Sequence, residues 1–202
     1  MRKIIKQYRF YLAVLLVVIL GAGATVVTSA QAANTTINST LSPVISLFTT
    51  SGTVSDNVTP TGGGAQTIQS DTVTVSTNDS SGYTLQLAES SATTTLTFGS
   101  NTIPASSGTQ TTPVVMAVNT WGYRVDGVGG FGAGPTTSAS SAAISGTIKF
   151  AGVPVPASPN TLADTSGTAT NATTTVWYGV AANTSQASGA YSNTVTYTCT
   201  AN

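Results

Sequence analysis

Apolar and polar residues alternate with a period of two in short runs along this chain, and clusters of Gly, Ser, Asn, Asp and Pro separate the runs. The clearest run is the stretch 191–201, where Tyr191, Val195, Tyr197, Cys199 and Ala201 share one parity and Thr194, Thr196, Thr198 and Thr200 the other. Such spacing, rich in aromatic and β-branched residues, predicts a strand with one apolar and one hydroxyl face. The same pattern predicts strands over 71–75, 83–87, 94–98, 114–118, 121–125, 144–150 and 173–181. Within 173–181, Val176, Tyr178 and Val180 form the inward set, and Trp177 points to the other face. Parity skips at Asn119-Thr120, between Val118 and Trp121, which predicts a bulge or bend there.

The first run after the amino-terminal region places Ile37, Leu41, Ile45 and Leu47 on one parity. Pro43 shares that parity and has no N–H to donate, so this strand is expected at a sheet edge or broken at its middle. No segment beyond the amino-terminal region shows helical period. About nine short strands at this spacing predict an all-β fold, an antiparallel immunoglobulin-like β-sandwich, following an N-terminal signal helix. The expected domain organisation is a signal peptide over 1–32 and a single sandwich domain over 33–202 with a strand arm at 33–48.

The signal segment is read from Arg2, Lys3, Lys6 and Arg9, the apolar run 10–20, and the small-residue site Ala30-Gln31-Ala32. This three-part shape predicts export with cleavage before Ala33, and the rival reading is an uncleaved anchor. No Cys precedes Ala33 to carry a lipid, so the membrane is expected to be met only through the signal segment. Beyond it, the cations are Arg124 and Lys149, against Asp56, Asp71, Asp79, Glu89, Asp126 and Asp164. Two cations cannot neutralise a phosphate track, which excludes nucleic acid as a partner. Solubility is left to Ser and Thr, and Thr suits the wet face of a sheet.

Three pieces carry a family likeness: 73–78 with Gly82-Tyr83-Thr84-Leu85, then Asn119-Thr-Trp-Gly-Tyr123, then Val176-Trp-Tyr-Gly-Val180 with 188–198. Together they resemble uncharacterised secreted β-sandwich proteins of bacterial surfaces, of the kind frequent in candidate phyla. The ending is also similar in form to WxL-type wall-binding domains and spore-coat-U-type pilins. The resemblance implies a surface location and a structural or adhesive role. Trp121 and Trp177 are not followed by x-Leu, and Cys199 has no second cysteine, so wall binding and the pilin disulfide do not carry over.

Reactive residues are few. The chain has no His, and a serine nucleophile would have Lys149 as its amine, on a parity opposite Ile148 and Phe150. That parity also opposes a lysine–asparagine cross-link. The acidic residues mostly lie beside turn residues, as solvated turn chemistry explains, and no loop has the acidic spacing of a dedicated calcium site. No catalytic residue, metal ligand or cofactor is therefore assigned, and the chain is not read as an enzyme. Cys199, inside an apolar face, is read as packing, with an intermolecular disulfide as the sharper alternative. Sequons at Asn34, Asn38, Asn57, Asn78, Asn171 and Asn183 are compatible with a surface location.

Two functions follow. The first is a secreted cell-surface structural protein that associates with itself or other surface proteins through β-edges, using the arm residues Ile37, Leu41, Ile45 and Leu47. The second is an extracellular adhesin or glycan-binding module for cell-envelope or host glycans, with Trp177 and Phe131 of the glycine-rich loop 127–135 as ligand contacts.

Overall fold

The computed structural model describes residues 34–202. The expected signal helix and its cleavage site lie outside the described residues. The chain divides into two compact units, Met1–Thr40 and Leu41–Asn202. In the first, residues 34–40 have no regular structure and are exposed. The second holds every strand among the described residues: β1 (Ile45–Thr49), β2 (Ala65–Thr77), β3 (Tyr83–Glu89), β4 (Leu96–Phe98), β5 (Asn101–Ile103), β6 (Val114–Val115), β7 (Thr120–Val125), β8 (Ala139–Ser141), β9 (Lys149–Phe150), β10 (Asn160–Asp164), β11 (Ala169–Ala182) and β12 (Val195–Ala201).

The fold is all-β and every strand pair is antiparallel. The larger sheet runs β1-β2-β11-β7, with β8 also on β2, and a second runs β10-β3-β12. The inward set of the larger sheet includes Val73, Val75, Tyr123, Val125, Val176 and Tyr178, and it shares one core with Leu85, Leu87 and Leu162 of the other. Alternation dictates this arrangement, because each strand commits one parity to the core. The opposite face of the larger sheet is covered too. Ile68, Trp177 and Ala181 pack there with Met116 and Phe150, which belong to segments outside that sheet.

Twelve strands among the described residues replace the expected nine or so, since β5, β8 and β10 lie in stretches where no strand was expected. β10 has no apolar alternation to announce it; it forms because β3 offers an edge over Thr84–Leu87. The run expected over 114–118 is a strand only at Val114–Val115. The bend expected after it is present, with Asn119 at φ 57° and the Thr120 hydroxyl donating to the Ala117 carbonyl at 2.7 Å. The last strand starts at Val195 rather than Tyr191. Ser192 instead pairs with Thr97, and the Tyr191 ring tilts against Phe98 at 5.8 Å between centroids.

Candidate interaction surface

The expected strand arm is divided by its proline. Ile45 and Leu47 lie in β1, half-buried against the core, whereas Ile37 and Leu41 precede any strand and are 88% and 79% exposed. All of residues 34–44 are exposed. Pro43 cannot extend the β1 ladder, and the chain is fastened immediately beside it. Val44 donates its N–H to the Asn78 side-chain oxygen at 2.6 Å, and the Asn78 amide donates to the Ser42 carbonyl at 3.1 Å.

β1 is one edge of the larger sheet and β12 one edge of the smaller, and these two edges approach each other without pairing. The hydrogen-bond phase of each is fixed at its ends. Ser90 donates to Thr194 and Asn202 to Gly82, so Thr196, Thr198 and Thr200 bond β3. Val195, Tyr197, Cys199 and Ala201 therefore turn their N–H and C=O groups outward. By the same argument, Thr50 to Thr72 and Asn78 to Val44 leave Ile45, Leu47 and Thr49 with outward backbone groups on β1. Ile45, Leu47, Val195, Tyr197 and Cys199 all pack against the core but are only partly buried. A seam of incompletely covered apolar side chains thus runs beside two unpaired edges.

The other side of the core is sealed. Tyr123 of β7 exchanges both backbone bonds with Ala151 at 2.9 Å, while Ser106 donates to Trp121 and Trp121 to Pro104. The Tyr123 hydroxyl donates to Gln110 at 2.8 Å and accepts from Asn160, and Gln110 reaches the Thr161 carbonyl of β10. Tyr123 is 0% exposed and Leu162 4%.

The two aromatic residues expected to meet a ligand are interior, which corrects that expectation. Trp177 is 6% exposed, because Met116, Phe150 and the partly buried Ile144 and Ile148 cover the outward face of its sheet. Phe131 is 4% exposed and stands edge-on to Tyr123 at 5.5 Å. Its loop is held by Arg124, a buried guanidinium that pairs with Asp126 at 2.8 Å and donates to the Phe131 and Gly132 carbonyls. Lys149 is exposed beside buried Phe150. An open recess beside the smaller sheet is lined by Gln86, Ala88, Glu89, Ser90, Pro156, Pro159, Thr196 and Thr198, with no aromatic residue among them.

Sequence reasoning passed over the three interior charges, Asp71, Glu89 and Arg124, of which two are the least exposed. Arg124 is one. Glu89 is the other, and its position after Leu85 and Leu87 on the inward parity of β3 was the available signal. Neither Glu89 carboxyl oxygen has a hydrogen-bond partner, and one oxygen of Asp56 also lacks one. Burial pushes both carboxyl groups up to about 7. Tyr178 lies between the sheets with its hydroxyl 2.7 Å from that of Tyr197, and burial, then the neighbouring Tyr197, raise its pKa. Asp71 is better served, accepting from the Thr50 hydroxyl and the Ser51 N–H. Among the described residues, no three His, Cys, Asp or Glu side chains converge as a metal site would require. Comparison of the chain with protein-family models, with curated proteins and with solved structures found no match.

Proposed function

We propose that the protein is a secreted cell-surface structural subunit, an immunoglobulin-like β-sandwich that associates with other copies through its sheet edges. The observation that carries this reading is the seam between β1 and β12, where unpaired backbone groups adjoin half-covered apolar side chains. Natural edge strands are usually blunted by charge, proline or a bulge. Neither β1 nor β12 contains a charged residue or a proline. Secretion rests on the basic, apolar and small-residue order of residues 1–32, and the surface role on the low charge and hydroxyl-rich exterior. The adhesin reading has less support, since Trp177 and Phe131 are both withdrawn from solvent.

Size-exclusion chromatography with light scattering and negative-stain electron microscopy of the exported protein test the proposal. Concentration-dependent oligomers or filaments are expected. Monodisperse monomers up to millimolar concentration overturn it.

A further inference from the structure

We propose that the segment 34–41 of a second copy adds as a strand to the outer edge of β12, laying Ile37 and Leu41 over the seam formed by Ile45, Leu47, Tyr197 and Cys199. The inference rests on the self-association reading above and assigns its donor and its acceptor.

The acceptor is defined by hydrogen-bond phase and by cover. β12 turns the N–H and C=O groups of Val195, Tyr197, Cys199 and Ala201 to its free side, against three such residues on β1. These same residues direct their side chains toward the core, and Val195, Tyr197 and Cys199 leave it partly uncovered. A strand added there satisfies the backbone groups and supplies the missing apolar cover in one step, as strand addition does elsewhere.

The donor is defined by pattern and length. Ile37 and Leu41 are four residues apart, so an extended segment puts both on one face, with the small Ser39 between them. Both are largely exposed, and no residue from 34 to 44 is in a strand. Asn78 fastens Ser42 and Val44 to the end of β2, which sets residue 41 as the last one able to leave. At roughly 3.3 Å per residue the five residues from Ile37 to Leu41 extend over about 17 Å, within the about 23 Å of the seven in β12. Neither segment carries a charge to oppose pairing.

Cys199 lies on the proposed acceptor edge and is the one cysteine of the chain, so it reports the contact directly. Exported Leu41→Cys/Cys199→Ser protein is mixed with the unaltered protein, oxidised mildly with diamide, and its disulfides are mapped by mass spectrometry. The experiment is repeated with Ile37→Cys/Cys199→Ser, to allow for register, and with Val114→Cys/Cys199→Ser as an exposed control. At least one arm position is expected to bond residue 199 of the other chain tenfold or more above the control, and Ile37→Asp is expected to abolish the Leu41→Cys product. Yields equal to the control overturn the proposal. So does a bond between residues 41 and 199 that forms only within one chain of the Leu41→Cys single variant. If oligomers persist while the cross-link fails, donor and acceptor are wrong and edge association stands; monodisperse monomers throughout overturn both.

Discussion

At Glu89 a carboxyl group occupies the apolar parity of β3 with no hydrogen-bond partner, and this makes folding proton-linked. Its pKa rises from an ordinary 4.5 to about 7 through burial, and that of Asp56 from 3.8 to about 7 for the same reason. The folded chain therefore holds protons that the unfolded chain releases. Stability is full below the ordinary carboxyl values, falls as pH rises through the interval up to about 7, and levels off above it. Thermal unfolding should show a higher Tm at pH 5 than at pH 8, with a loss of stability between them on the order of 2 kcal/mol per group. Glu89→Gln should raise Tm at pH 8 and remove roughly half of the pH dependence, leaving the part due to Asp56. An unchanged profile in Glu89→Gln would place the proton elsewhere. Glu89 was legible as a charge at an inward position, whereas its lack of a partner was not, because partners come from strands distant in sequence. Trp177 shows the same limit. Its parity placed it on the outward face correctly, but parity assigns a face and not whether that face is covered. The cover comes from Met116 and Phe150, residues remote from it along the chain.

The longer elements follow from alternation, and their closures follow from small residues and side-chain amides. β2, β3, β7 and β11 contain the runs that period-two spacing marks, extended by one to several residues where a neighbour supplies a ladder, and β12 keeps the last seven residues of its run. β10 was not legible because its sequence, Asn-Thr-Leu-Ala-Asp, offers Leu162 alone as a large apolar residue. On the sealed side, β7 needs a glycine at its centre. A Cβ at Gly122 would stand 2.5 Å from the Ala151 carbonyl oxygen, which is itself bonded to the Tyr123 N–H. Gly122→Ala should therefore push residue 151 away and cost about 1–3 kcal/mol, as overpacking does. Denaturant unfolding measures it, together with faster exchange of the Tyr123 amide. Stability equal to the parent would show that the β7 edge is not held by this contact. The arm was legible as an apolar period and its break as Pro43, but the fastening by Asn78 depends on a turn that alternation does not describe.

At the scale of the molecule, the core is closed on one side by β7, β10 and the segments around Pro104 and Ala151, and left partly covered on the other by β1 and β12. Sparse charge follows the same division of labour. The two cations among the described residues are Arg124, spent on fastening the loop 127–135, and Lys149 on the surface. Hydroxyls therefore carry most of the solvation, and interactions at the seam should respond weakly to salt. The arm and the β12 edge are different surfaces of the same chain, and a contact between unlike surfaces does not close on itself as a twofold pair does. If the proposed contact repeats without closing into a ring, growth through it has a direction, with an empty edge exposed at one end and an unused arm at the other. A copy lacking residues 34–41 should join by its edge and then stop that end, whereas a copy with Tyr197→Pro should join by its arm and stop the opposite one. Trace amounts of either should shorten assemblies seen by electron microscopy in proportion to their mole fraction, and the two together should act at separate ends.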